Sequence, residues 1–302
     1  MQKFLKWLGY ILGGLLALLL MAAGIIYFQS ESILNKTYAA PPVSVTVPTD
    51  AETVARGKYL VEHVSVCVDC HGENLGGGVV VDDPAIGYAP APNITTGLGG
   101  LGANLTDADI ARVIRYGILS NGKSARVMPS EDYQNLSETD LAAIIAYVRS
   151  VPPVNQEMRP WDLRPVGRLL LVARQLPIMT AERIDPSTVQ PSTVPAGVTK
   201  EYGNYLGNIA GCTGCHGPGL SGGPILGAPP DWPPAANITT AGAIADWTEA
   251  DFITMMRTGV DKTGHEVNAV MPVFRYAGMS DDELKAIWLF ISTAPPKEYG
   301  NR

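Results

Sequence analysis

Hydrophobic residues along the chain form one long unbroken run, followed by shorter segments in which they recur every three or four positions. The run from Leu8 to Phe28 contains no charged residue. About 20 apolar residues are enough to cross the ~30 Å hydrocarbon core of a bilayer as a helix. Lys3 and Lys6 precede the run, and Trp7, Tyr10, Tyr27 and Phe28 lie near its ends. Lysines stay on the cytoplasmic side and aromatic rings favour the interface. Residues 1–30 are therefore expected to be a transmembrane anchor, with the rest of the chain extracytoplasmic. The run is longer than the core of a secretory signal, and the small residues suited to cleavage, Ala39 and Ala40, lie well beyond it. The anchor is expected to be retained. Residues 31–50, with Pro41, Pro42 and Pro48, read as a semi-rigid tether.

The remaining apolar positions follow a helical period. Residues 51–66 predict a helix. Thr106-x-x-Asp109 and Thr248-x-x-Asp251 resemble capping boxes, and Ser137-x-x-Asp140 and Ser280-x-x-Glu283 are further helix starts. Ile110, Val113 and Ile114 share a face, as do Leu141, Ile144, Ile145 and Val148, and again Leu284, Ile287, Trp288 and Ile291. Alternating strand patterns are almost absent. The expected fold is mainly α, with long loops rich in glycine and proline.

This pattern occurs twice. Arg56-Gly57-Lys58-Tyr59-Leu60 is matched by Tyr202-Gly203-Asn204-Tyr205-Leu206, and Asn93-Ile94-Thr95-Thr96 by Asn237-Ile238-Thr239-Thr240. Arg115-Tyr116-Gly117 is matched by Arg257-Thr258-Gly259, and Val127-Met128-Pro129 by Val270-Met271-Pro272. The offset is 145 at the cysteines and 143 at these methionines. A near-constant offset marks a tandem duplication. The expected domains are 51–153 and 198–302, joined by a linker, 154–197. Within the linker, Val166 to Met179 is apolar with Arg168 and Arg174 interspersed. It is expected to brace the two domains; the alternative is an amphipathic helix on the membrane or on a partner.

Composition sharpens the picture. Charged residues make up only 17%, with 32 glycines, 24 prolines and a net charge of −7. That balance suits loop-rich domains around a large apolar cofactor and argues against nucleic acid. All four cysteines fall in Cys67-Val68-Asp69-Cys70-His71 and Cys212-Thr213-Gly214-Cys215-His216. C-x-x-C-H is the attachment pattern of c-type haem. Two thiols three positions apart reach the two vinyl groups, and the histidine that follows supplies a nitrogen ligand to the iron. One zinc held by all four thiolates is an alternative, as is a thioredoxin-like redox pair. Neither accounts for the two histidines. The expected cofactors are two covalently bound haem c groups.

Met128 and Met271 are the candidate sixth ligands. They lie 57 and 55 residues after His71 and His216, and only this Met-Pro pair repeats in register. Thioether sulfur is a soft ligand that raises the potential of a haem. Met255 and Met256 fit a helix core. His63 and His265 have no counterparts and read as surface or hydrogen-bonding residues; the alternative is that either replaces a methionine as ligand and lowers that haem's potential. Arg115 and Arg257 would pair with haem propionates or close a helix end. Asn93 and Asn237 would structure turns.

With these residues set out, the chain resembles class I c-type cytochromes over residues 51–153 and 198–296. It is most similar to the multihaem cytochrome c subunits of membrane-bound alcohol, aldehyde and gluconate dehydrogenases. The resemblance implies ligation by His71 with Met128 and His216 with Met271, and electron transfer outside the cytoplasm. The expected function is a dihaem relay of single electrons, itself without catalytic residues, inside a larger redox complex. Its expected partners are the membrane and other redox subunits or a soluble electron carrier, with no nucleic acid and no small-molecule substrate. A dihaem peroxidase-type enzyme and a structural subunit of a dehydrogenase complex are the alternatives.

Overall fold

The structure is a computed structural model that describes residues 1–229 and 231–301. The expected end of the second domain, at 302, lies outside the described residues. The first element, α1, runs Gln2–Leu34. At 1.5 Å per residue its 33 residues span about 50 Å. It is the one helix among the described residues that is long and apolar enough to cross a membrane, a property it shares with a signal sequence. Its last turn behaves differently. Ser30 and Leu34 are buried, and Leu34 joins Leu163, Leu171, Ile178 and Met179 in a small apolar cluster. The chain is then tied down: the Tyr38 N–H donates to the Gly122 carbonyl at 2.8 Å, and Lys36 pairs with Glu182 at 2.7 Å. Val43, Val45 and Val47 lie against the main core.

Asp50 opens α2 (Ala51–Tyr59) by accepting from the Thr53 N–H. A single π turn follows at Leu60–Val64 and leads into α3 (Val68–His71). A hairpin of β1 (Gly78–Asp83) and β2 (Gly87–Ala91) precedes α4 (Asp107–Tyr116), α5 (Ser130–Tyr133) and α6 (Glu138–Ser150). The capping box at Thr106 is present on both sides, as the spacing predicts. At Ser137 only half of it forms, because Asp140 turns instead to Arg56. Helices α2 and α6 cross closely at Gly57, where any Cβ would collide with the Ala143 carbonyl.

The linker holds β3 (Asp162–Leu163), α7 (Pro165–Val172) and a 3-10 turn at Thr180–Arg183. The sheet order is β1-β2-β3, all antiparallel. The sequence pattern does not predict this small sheet. Val79 and Val80 are exposed, so the strand carries no alternating pattern, and β3 reaches β2 from 70 residues away. Helix α7 itself does not sit between the two halves: it packs on α1, while β3 edges the first-half hairpin. Only the end of the Val166 to Met179 segment braces them, the Val127 N–H donating to the Ile178 carbonyl at 3.1 Å and Pro177 lying against Gly227.

The second half repeats the order with α8 (Lys200–Ile209), α9 (Cys212–His216), α10 (Glu249–Thr258), α11 (Val273–Tyr276) and α12 (Asp281–Ser292). Gly203 lets α8 cross α12 against the Ala286 carbonyl, as Gly57 does for α2 and α6. Tyr59 stands eight residues before its cysteine and Tyr205 seven. The π turn takes up that extra residue, as single π turns commonly do.

The halves share one apolar core, and they meet crosswise. Helix α5 packs on α8 and α9, and α11 packs on the π turn. At the centre, Arg56 lies 3.0 Å from Asp140 of its own half and 3.5 Å from Glu283 of the other. The Tyr59 hydroxyl donates to Glu283, and the Tyr205 hydroxyl to Asp140 at 2.6 Å.

Candidate haem sites

Each cysteine pair lies on a single helical turn, α3 or α9, entered through a left-handed residue. That residue is Val66 (φ 42°) in the first half and Gly211 (φ 75°) in the second. Nδ1 of His71 lies 2.9 Å from the Pro92 carbonyl oxygen, and Nδ1 of His216 lies 2.7 Å from that of Ala236. A carbonyl only accepts, so Nδ1 carries the proton and donates. The lone pair then resides on Nε2, the nitrogen a metal would take. Burial lowers the pKa of His71, with the Pro92 bond opposing, so the imidazole stays neutral. Neutral imidazole is the ligating form.

The accepting carbonyls are held by the asparagines next to them. Asn93 Oδ1 accepts from the N–H and the hydroxyl of Thr95 at 2.9 and 2.8 Å, while Nδ2 donates to the Val154 carbonyl at 2.7 Å. Asn237 makes the same bonds to Thr239, and reaches the Lys297 carbonyl at 2.8 Å. Both asparagines are buried and structure turns, as expected.

Burial pushes the thiols of Cys67 and Cys212 up to about 12, with the neighbouring cysteine adding in each case. They are protonated and poorly nucleophilic. All four cysteines are free of disulfides. Among the described residues no group of three or more His, Cys, Asp or Glu side chains is arranged to hold a metal ion, so the four thiols are not gathered around one zinc.

Met128 and Met271 are half-buried and pack on the same core as Cys67 and Cys212. Pro129 and Pro272 follow them with nearly identical backbone angles and open α5 and α11. Each short helix ends in a tyrosine that sequence reasoning passed over. The Tyr133 hydroxyl donates to the Ser65 carbonyl at 2.7 Å, and that of Tyr276 to the Ala210 carbonyl at 2.6 Å. Both acceptors stand two residues before the first cysteine of their own half. The tyrosines thus tie each methionine segment to its cysteine motif. The signal was a repeated Met-Pro-x-x-x-Tyr.

The arginines have a related task. Arg257 donates to the Ala277 carbonyl and pairs with Asp281 at 2.6 Å, while Arg115 is buried with Nη1 3.5 Å from the Gln134 carbonyl. Both close the far end of the methionine helix. His63 donates from Nδ1 to the Arg275 carbonyl at 3.2 Å, between the halves. His265 is largely exposed, 2.6 Å from the Thr263 hydroxyl.

Each methionine helix also reaches the cysteine motif of the opposite half. Arg275 on α11 binds Asp69 at 2.8 Å and Glu73 at 2.5 Å beside the first motif. Its counterpart Asp132 on α5 faces Gly211 and Gly214 in the second. Burial pushes Asp132 up to about 7, with the charge of Glu131 adding and Arg183 opposing.

The donor set fits haem c. Two thiols lie on one turn, a neutral imidazole is oriented by a carbonyl, and a thioether lies on the same apolar core. Comparison with known proteins agrees. The family model described as cytochrome c oxidase, cbb3-type, subunit III matches residues 52–148 and 207–291. The gluconate 2-dehydrogenase cytochrome c subunit of Pantoea cypripedii is 26% identical over 283 residues, 81% of this chain and 60% of that protein. The fructose dehydrogenase cytochrome subunit of Gluconobacter japonicus is 26% identical over 236 residues, 72% of this chain and 43% of that protein. The cytochrome c subunit of the quinone-type alcohol dehydrogenase of Gluconobacter oxydans is 31% identical over 94 residues, 29% of this chain and 20% of that protein. The chain thus spans less than two thirds of the length of each of these relatives.

Proposed function

The chain belongs to the family described as cytochrome c oxidase, cbb3-type, subunit III, and from that premise we propose that it is a dihaem electron relay serving a membrane-bound dehydrogenase complex. The observation that carries this reading is the pair of C-x-x-C-H turns whose histidines are each fixed through Nδ1 to a carbonyl. Cys67 with Cys70, and Cys212 with Cys215, would hold the two groups by thioether bonds. His71 with Met128, and His216 with Met271, would be the axial pairs. Haem c would supply a one-electron Fe(III)/Fe(II) couple.

The protein's own contribution is to hold these residues still. The Asn93 and Asn237 turns orient the imidazoles, Tyr133 and Tyr276 fix the methionine segments, and the shared core excludes water. Tandem duplication accounts for the repeated element order, with domains over 51–153 and 198–302. Residues 1–30 would anchor the module with its haem sites outside the cytoplasm. Burial of Ser30 and Leu34 in the folded part supports retention of α1, since a cleaved signal contributes nothing to a core. The relatives' names favour a dehydrogenase as the electron donor, with other redox subunits or a soluble carrier as partners.

Haem staining after denaturing electrophoresis, with a pyridine haemochrome count, tests the cofactor. Two haems per chain are expected, and one after joint Cys67→Ala and Cys70→Ala substitution. A count of one in the unaltered chain overturns the dihaem reading. Native electrophoresis of a gentle detergent extract tests the partner. A dehydrogenase in the haem-stained band is expected, and an oxidase or reaction centre in its place would move the module to another chain.

A further inference from the structure

Helix α7 presents two faces of opposite character. Gly167 and Leu171 are buried, Gly167 directly against the Ile86 carbonyl. Val166 and Leu169 are 45% and 49% exposed, and Ala173 just beyond the helix is exposed too. Positions 166, 169 and 173 are three and four apart and so share one face. The one cation on α7 is turned away from that face. Arg168 Nη1 donates to Ser30 Oγ at 2.7 Å and to Glu31 Oε1 at 2.8 Å, and its guanidinium lies 4.5 Å from the Tyr27 ring.

These contacts fix the height of α7 along α1. Arg168 grips the turn from Tyr27 to Glu31, where the apolar run ends at Phe28. About 20 residues fill the ~30 Å hydrocarbon core, and the headgroup zone adds roughly 5–7 Å on each side. Counted from Leu8, Tyr27 falls at the outer edge of the core. An exposed apolar stripe at that level does not face bulk water. Arg174, exposed at the end of α7, is suited to anionic headgroups.

We infer that α7 is an interfacial contact whose Val166, Leu169 and Ala173 face rests on the outer leaflet of the membrane that α1 spans. This rests on the proposed anchor role of α1. Two exposed aliphatic side chains add little affinity to a protein already anchored. Their effect is orientation: with the Arg168 clamp, they fix how the haem-bearing part stands on the membrane.

The haem-loaded full chain, whose native cysteines would be occupied, takes a spin label at one introduced cysteine. Leu169→Cys is the probe, Leu16→Cys the control within α1, and Leu98→Cys the control on an exposed loop. Each is reconstituted into vesicles of phosphatidylethanolamine and phosphatidylglycerol. Power saturation compares collision with oxygen, which enters lipid, against collision with a water-soluble nickel chelate. The label at 169 is expected to favour oxygen over nickel several-fold more than the label at 98, and less than the label at 16. If 169 behaves like 98 while 16 is shielded, the inference falls and the face awaits a protein partner. If 16 is open to nickel, the anchor reading itself falls. Val166→Asp with Leu169→Asp is the second test. Unchanged haem spectra with a loss of shielding at an Ala173→Cys label are expected; unchanged shielding overturns the inference.

Discussion

The Tyr205 hydroxyl donates to Asp140 Oδ2 at 2.6 Å, so a residue of the second half completes the start of the last helix of the first. The reciprocal bond runs from Tyr59 to Glu283. Burial first, and then the Asp140 carboxylate, push the Tyr205 phenol well up. The phenol therefore remains a donor at any physiological pH.

Tyr205→Phe removes this bond and leaves Asp140 with Arg56 alone. A buried hydrogen bond to a charged group contributes about 1.5–3 kcal/mol. A loss of that size is expected in denaturant unfolding, with both haem spectra unchanged in the folded protein. An unaltered midpoint would show that the two halves do not depend on this junction.

Gly57→Ala forces a methyl group into the Ala143 carbonyl where α2 crosses α6. Overpacking of this kind costs about 1–3 kcal/mol. Gly14→Ala, which meets nothing within 4 Å, serves as the control and should leave the thermal transition where it was. Equal melting of the two variants would mean that the crossing relaxes without cost.

Asp132 gives the fold a pH dependence. Its folded pKa of about 7 lies above the ~3.9 of an unfolded aspartate. The folded state therefore binds the proton more tightly, and stability falls as pH rises from about 4 to about 7. Asp132→Asn should flatten that slope and raise the melting temperature at pH 8, with little change at pH 4. A steeper slope in the variant would reverse the assignment.

Met128→Ala tests the proposed sixth ligand. The first haem should bind cyanide and its potential should fall, while the second haem keeps its own. An unchanged spectrum and potential would remove Met128 from the ligand set.

The helices and their starts were legible because each is encoded locally. Thr106, Ser137, Thr248 and Ser280 cap where the sequence places them, and Ile144 and Ile287 are buried on the expected faces. The two C-x-x-C-H turns were equally plain. What stayed hidden depends on distant parts of the chain. The pairing of β3 with β2, the crossed contacts of Arg275 and Asp132, and the seat of α7 on α1 join segments far apart in sequence. Tyr133 and Tyr276 were visible as a repeat, but their carbonyl acceptors were not.

The π turn at Leu60–Val64 has a consequence for phase. One extra residue in a regular α-helix rotates everything after it by about 100°. Left uncorrected, Cys67 would point away from the apolar core on which it and Cys212 both pack. Widening a single turn cancels the rotation before the first cysteine. The insertion therefore lengthens the approach without re-aiming the motif. Deleting one residue from this turn should leave an ordinary helix there and keep the first site intact.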